Sequence, residues 1–195
     1  MNLFEVEIKF QVEDTAELER QLRDFGFPEF GRQVKETDTF FRHPVRDFAE
    51  TDECLRLRKR KYADRKPEFY LTYKGPKIDT ETKTRQEIEM PVEDPQTLES
   101  ILTVLGFIPA AKIAKFRRRA ATTVEGRLIE AVLDELPDLP LEKQFFIELE
   151  TLAGEHEVAM CRQLLRNIAA ELGLKESIRT SYLRLIQEVR ADVLT

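Results

Sequence analysis

Glu5-Val-Glu7-Ile-Lys9-Phe10 alternates charged and apolar residues, and Arg85-Gln-Glu87-Ile-Glu89-Met90 repeats the alternation at an offset of 80. Each opens a longer segment, EVEIKFQVEDTAELERQLRDFGF (Glu5 to Phe27) and RQEIEMPVEDPQTLESILTVLGF (Arg85 to Phe107). The two align without a gap. Glu7/Glu87, Ile8/Ile88, Val12/Val92, Asp14/Asp94, Leu18/Leu98, Leu22/Leu102, Gly26/Gly106 and Phe27/Phe107 are identical, and Lys35/Lys115 continues the register. Each unit reads as a strand followed by a helix. Asp14 and Asp94 are N-cap residues, and Pro95 suits the first helical position. Leu18, Leu22 and Phe25 share one helical face, as do Leu98, Leu102 and Leu105, and Gly26 and Gly106 stop the helices. The chain is expected to be one domain, residues 1–195, made of two similar halves near 1–80 and 81–195.

More strands follow in each half. Residues i, i+2 and i+4 of a strand share a face. Glu5, Glu7 and Lys9 therefore oppose Val6, Ile8 and Phe10. Arg56, Arg58 and Arg60 oppose Leu55 and Leu57, and Tyr70, Thr72 and Lys74 oppose Phe69, Leu71 and Tyr73. Arg85, Glu87 and Glu89 share a face, as do Lys115, Arg117 and Arg119. Glu130, Val132 and Asp134 oppose Ile129, Ala131 and Leu133. Phe146, Glu148 and Glu150 oppose Phe145, Ile147 and Leu149. Two more amphipathic helices are expected, one from about Glu155 to Leu172 and one starting near Ser177. The apolar strand faces can cover the helices, so the charged faces must turn away from them. Solvent is one destination; the interior of a closed barrel is the other, and closure also removes the sheet edges. Buried charges need partners, and a polyanion carrying divalent metal would suit interleaved acids and bases. Clustered carboxylates offer hard oxygen ligands for Mg²⁺ or Mn²⁺, and Arg and Lys offer forks and point charges for phosphate.

Composition bounds the partners. The 195 residues carry 35% charged side chains and a net charge of −6, with a pI of about 5.2. A general nucleic-acid-binding domain would be basic, and LRLRKRK (Leu55 to Lys61) lacks the interleaved aromatics of an RNA-binding stripe. No stretch is apolar enough to span a bilayer, and the N-terminus has no signal-peptide character. With only Cys54 and Cys161, a reduced cytoplasmic protein is expected.

The motifs together resemble the CYTH superfamily, the triphosphate tunnel metalloenzymes. Glu5-Val-Glu7-Ile-Lys9 matches the ExExK signature. It is followed in order by LRLRKRK, LTYKG (Leu71 to Gly75), TRQEIE (Thr84 to Glu89), KFRRR (Lys115 to Arg119), VLDE (Val132 to Glu135), FIELE (Phe146 to Glu150) and SYLRLI (Ser181 to Ile186). RDFAETDECLRLR (Arg46 to Arg58) looks like the class IV adenylate cyclase branch. Gln86 departs from the commoner motif, where Glu often stands. The resemblance implies an α+β fold, a closed eight-stranded antiparallel β-barrel with amphipathic helices packed outside. It implies two divalent ions, Mg²⁺ or Mn²⁺, on Glu5, Glu7, Glu148 and Glu150. Lys9, Arg56, Arg58, Lys74, Arg85, Lys115 and Arg117 would hold phosphates. Glu5, Glu7, Lys9, Lys74, Glu87, Glu89 and Asp134 would form the catalytic lining. The expected partner is a triphosphate-bearing small molecule, and proteins of this kind often pair as homodimers. The expected reaction is ATP to cyclic AMP and pyrophosphate. The alternatives are hydrolysis of inorganic triphosphate, thiamine triphosphate or nucleotides, and a non-catalytic polyphosphate- or nucleotide-binding module. For a cyclase, the segment from His43 to Glu53, with Phe48, is the expected grip on the nucleoside.

Overall fold

The computed structural model describes residues 3–76 and 84–192. The proposed boundary near residue 80 lies outside them. The described elements run β1 (Leu3–Val12), α1 (Thr15–Phe25), β2 (Val34–Arg42), β3 (Cys54–Lys61), β4 (Glu68–Lys74), β5 (Arg85–Pro91), α2 (Pro95–Val104), β6 (Ile108–Val124), β7 (Arg127–Glu135), β8 (Phe145–Gly154), α3 (Val158–Glu171) and α4 (Tyr182–Asp192). The order β-α-β-β-β thus occurs twice before the last two helices. The strands pair antiparallel in the order β1-β5-β4-β3-β2-β6-β7-β8, and β8 returns to β1 along its length, so the sheet closes into a ring. The β1–β5 seam is short, formed by Phe4 opposite Gln86 and Glu5 opposite Arg85.

The helix termini follow their local chemistry. The Asp14 and Asp94 carboxylates accept from the Glu17 and Thr97 amides, each at 3.0 Å. Gly106 follows α2 at φ +89°, and a Cβ there would sit 3.1 Å from Pro44 Cβ, so both backbone and space call for glycine.

The apolar strand faces point outward, and the core therefore lies between the ring and its helices. Val6, Ile8, Ile129, Ala131, Ile147 and Leu149 pack with Leu18 and Leu22 of α1 and with Cys161, Leu165 and Ile168 of α3. Leu57, Phe41 and Leu102 form a smaller cluster under α2. A third cluster joins Ile113, Leu136 and Phe146 to Ile186 of α4.

Three expectations need correction. Leu105 does not join Leu98 and Leu102 in the core. It is 61% exposed, beside exposed Ile101 and Val104. The last helix begins at Tyr182, because Ser177 and Ile178 are extended against the end of β1: Ser177 bridges Phe10, and the Ile178 amide donates to the Lys9 carbonyl at 2.6 Å. At the start of α3, Glu155–Glu157 form a separate 3₁₀ turn.

The contrast between the duplicated helices is testable. Leu22→Ala should lower unfolding free energy by about 2–5 kcal/mol, as for a fully buried leucine. Leu105→Ala should stay within about 0.5 kcal/mol. Urea melts of the two variants measure both; equal losses would contradict the packing described.

Candidate active site

The charged strand faces line the interior of the ring. Their side chains sit close enough that each carboxylate's surroundings can be read individually. On β7, Asp134 accepts Arg117 Nε at 2.6 Å and Nη2 at 2.5 Å, and Lys115 Nζ at 3.0 Å. Arg117 also reaches Glu148 on β8 at 2.7 Å. On β2, Asp38 forms a two-point pair with Arg58, both bonds 2.7 Å, and Arg56 stands 3.6 Å from it. Such forks are the strong form of charge-assisted hydrogen bond. Lys74 lies between Glu5 at 2.6 Å and Glu87 at 2.5 Å. Glu89 accepts from Thr72 at 2.9 Å.

The titration of these groups follows the local fields. Burial alone would raise the Asp38 carboxyl, but Arg58 and Arg56 outweigh it and hold the group well below the usual range. Burial likewise works against the charge on Lys74, yet Glu5 and Glu87 raise its pKa. Burial lowers the Lys115 ammonium, helped by its neighbour Arg117. Glu150 behaves in the opposite way. Burial raises its carboxyl well above the usual range, and the negative charges of Glu5, Glu148 and Glu7 add to it.

Glu150 belongs to the one carboxylate cluster with metal-site geometry among the described residues. Glu5, Glu7 and Glu150 each place a carboxylate oxygen within 4.8 Å of the others. Three hard oxygen donors gathered this closely fit a divalent ion such as Mg²⁺ or Mn²⁺. Glu148, two residues along β8, stands against Arg117.

Of the other expected phosphate ligands, Lys9 is buried where β1 meets the C-terminal segment. Its ammonium donates to the Thr180 carbonyl at 2.5 Å and lies 4.0 Å from the Tyr182 ring centre. Arg85 reaches the Asp52 carbonyl at 3.2 Å in an exposed contact, away from the deep basic set.

Two acids of the lining lie outside the motifs read from the sequence, Glu36 and Asp38. The gapless repeat hides them. Lys35 was aligned with Lys115, but Lys35 is exposed while Lys115 is buried, and Glu36 is the residue opposite Lys115. The connection from helix to strand differs in length between the halves, so the gapless alignment does not carry into β2 and β6. The alternation Glu36, Asp38, Phe40 was the available signal, masked because Lys35, Thr37 and Thr39 make the other face polar too.

Phe48 is not placed to grip a nucleoside. It is 8% exposed and packs on His43 with ring centres 5.4 Å apart, and His43 in turn meets Phe107 at 5.1 Å. Nearby, Glu53 accepts from Tyr73 at 2.5 Å and from Thr51 at 2.7 Å. The segment is thereby fixed to the outside of the ring.

An enclosed ring with an acid cluster facing a dense set of Arg and Lys defines a site for a multiply charged anion. The CYTH domain family model matches residues 3–182. A protein of Methanocaldococcus jannaschii, named as a candidate adenylate cyclase, is 36% identical over 186 residues, covering 94% of this chain and 98% of that protein. A solved structure from Pyrococcus horikoshii OT3 is 38% identical, covers 94% of this chain and 98% of its own, and superposes with a TM-score of 0.81. A Hippeastrum protein, described as a candidate adenylyl cyclase with a dominant triphosphatase activity, shares the fold at 17% identity and TM-score 0.62, over 95% of each chain. The chain belongs to the CYTH family. No described helix is long and apolar enough to cross a membrane.

The Glu150 shift gives a pH prediction. Its folded pKa lies above that of the unfolded chain, so its contribution to stability is full below the unfolded value and is lost as pH rises through the folded one. Glu150→Gln should therefore raise the melting temperature of metal-free protein more at pH 8 than at pH 5. A difference independent of pH would show that Glu150 is not the strained group. Separately, Asp134→Asn leaves Lys115 and Arg117 short of a buried counter-charge and should cost about 3–5 kcal/mol in a urea melt.

Proposed function

We propose that this protein is a metal-dependent enzyme acting on a triphosphate held inside the ring, and that it converts ATP to cyclic AMP and pyrophosphate. The observation that carries the reading is the enclosure of Arg56, Arg58, Lys74, Lys115 and Arg117 opposite the Glu5–Glu7–Glu150 cluster. Phosphate oxygens would take the forks and ammoniums on one side. Glu5, Glu7 and Glu150 would hold divalent metal on the other, with Glu148 available beside them. Two ions, Mg²⁺ or Mn²⁺, would supply charge neutralisation and Lewis acidity toward the reacting and leaving oxygens. The protein's own part is positioning. Arg58 and Arg117 are locked by carboxylates before substrate arrives, so little reorganisation is needed when the phosphates bind. Lys9, held by the Thr180 carbonyl, would meet the phosphate chain at that end.

Cyclisation is favoured by the near full-length likeness to the M. jannaschii protein. It requires the ribose 3′-oxygen in line with the α-phosphorus, so the nucleoside must be held as well as the phosphates. Hydrolysis of inorganic triphosphate, thiamine triphosphate or a nucleotide is the second reading. It is favoured by the burial of Phe48 against His43, which removes the expected aromatic grip. A water at the terminal phosphorus needs no such grip. A homodimer in the cytoplasm fits either reading.

A product assay over ATP, thiamine triphosphate and inorganic triphosphate, with Mg²⁺ or Mn²⁺, separates them. Cyclic AMP with pyrophosphate from ATP is expected. Orthophosphate from triphosphate with no cyclic AMP would assign hydrolysis instead. Either activity should vanish with excess chelator and fall by about 10²-fold or more in Glu7→Gln. Binding without turnover of any substrate would make the protein a binding module.

A further inference from the structure

Glu36 lies outside every motif that marks the site, yet more basic groups converge on it than on any neighbouring acid. It has no exposed surface. Its carboxylate faces Arg58 at 3.0 Å, Arg60 at 3.1 Å, Arg119 at 3.4 Å, Lys115 at 3.6 Å and Arg117 at 3.7 Å. These five side chains come from β3 and β6, the strands on either side of β2. The contrast with the other acids is geometric. Asp38 and Asp134 each take a two-point fork from a single arginine. Glu36 is shared. Oε1 accepts a hydrogen bond from Arg60, but Oε2 has no described hydrogen-bond donor in good geometry although Arg58, Lys115 and Arg117 surround it. Arg119 also donates to Oε1, at 3.4 Å, so one oxygen is held by directional bonds and Oε2 by the summed field of the cations around it. A phosphate group, with several oxygens and more than one charge, would satisfy the same cations better.

Resting on the reading of the ring as a triphosphate site, we propose that Glu36 is a resident anion that keeps the basic side chains of β3 and β6 neutralised in the empty protein and competes with a substrate phosphate for them, so that it sets triphosphate affinity. Glu36 is a positioning residue here; it needs no contact with the reacting atoms. The charges fix the direction of the effect. Removing its charge leaves Arg58, Arg60, Lys115, Arg117 and Arg119 under-neutralised, which destabilises the empty ring and strengthens its attraction for an added anion. A merely structural carboxylate would behave otherwise, because its loss would disorder the cations and weaken binding along with stability.

The test is calorimetric titration of inorganic triphosphate, with Mg²⁺ present, into the full chain and into Glu36→Gln, with melting curves of both. The variant is expected to melt lower without ligand, to bind triphosphate on the order of tenfold more tightly, and to gain the larger upward shift in melting temperature on binding. Equal or weaker binding by a folded variant overturns the proposal. Should Glu36→Gln fail to fold, Glu36→Asp withdraws the carboxylate by one methylene; it should bind more tightly than the native chain by a smaller factor, and equal or weaker binding again overturns the proposal. Triphosphate binding by the native chain with none by the variants overturns this proposal alone. Binding by neither overturns the reading of the site as well.

Discussion

Asp134, with Arg117 and Lys115 bound to it inside a closed sheet, expresses the constraint on which the rest of the molecule depends. Charge placed inside a ring cannot be solvated as it would be on an open face, so it must be matched on the spot. Strand alternation then dictates everything outside. If the charged residues face in, Val6, Ile8, Ile129, Ile147 and Leu149 must face out, and they need a cover. Helices α1 and α3 supply it along β1, β7 and β8, and α2 supplies it over part of β2 to β4. The usual arrangement, a dry core inside a barrel, is inverted. The hydrophobic effect stabilises the shell, and electrostatic matching decides what the interior can hold.

Matching inside the ring is uneven, and the unevenness points toward function. On β2, β3, β6 and β7 the bases already have carboxylate partners, and Arg58 and Arg117 are held by forks. On β1 and β8 Glu5, Glu7 and Glu150 cluster, and burial, with Glu5 adding to it, raises the Glu150 carboxyl well above the usual range. One wall is thus rich in paired bases and the other in acids. Neither an anion nor a cation alone would suit both walls, whereas a phosphate chain carrying divalent metal would.

The parts of the fold legible in the sequence were those where one face of an element was purely apolar. Val6, Ile8 and Phe10 against Glu5, Glu7 and Lys9 give a period of two that only a strand explains. The same holds for Ile147 and Leu149 against Glu148 and Glu150. Strand β2 failed this test. In VKETDTFFR the outward residues Lys35, Thr37 and Thr39 are as polar as the inward pair Glu36 and Asp38, so no periodicity stands out. The internal repeat then misled, since residues 26–33 separate α1 from β2, while only residues 105–107 separate α2 from β6. Tertiary context defeated the other readings. Helical spacing puts Leu105 in line with Leu98 and Leu102, but spacing cannot say how far a covering surface extends. Phe48 was legible as an aromatic in a loop between strands, and nothing local to it announces that its ring packs on His43, which in turn meets Phe107.

The C-terminal segment shows how the inverted interior ends. Charged lining gives way to Ile113, Leu136 and Phe146, which pack with Ile186, Leu183 and Tyr182 of α4. Lys9 is buried where the two regions meet. Its ammonium donates to the Thr180 carbonyl and lies over the face of the Tyr182 ring, neutral groups that stabilise a cation. The carbonyl and the aromatic face hold the ammonium at a fixed point on the boundary between the charged lining and the apolar cluster. The C-terminal segment and the last helix, remote in sequence from β1, therefore help to fix the position of the Lys of the opening Glu5-Val-Glu7-Ile-Lys9 strand.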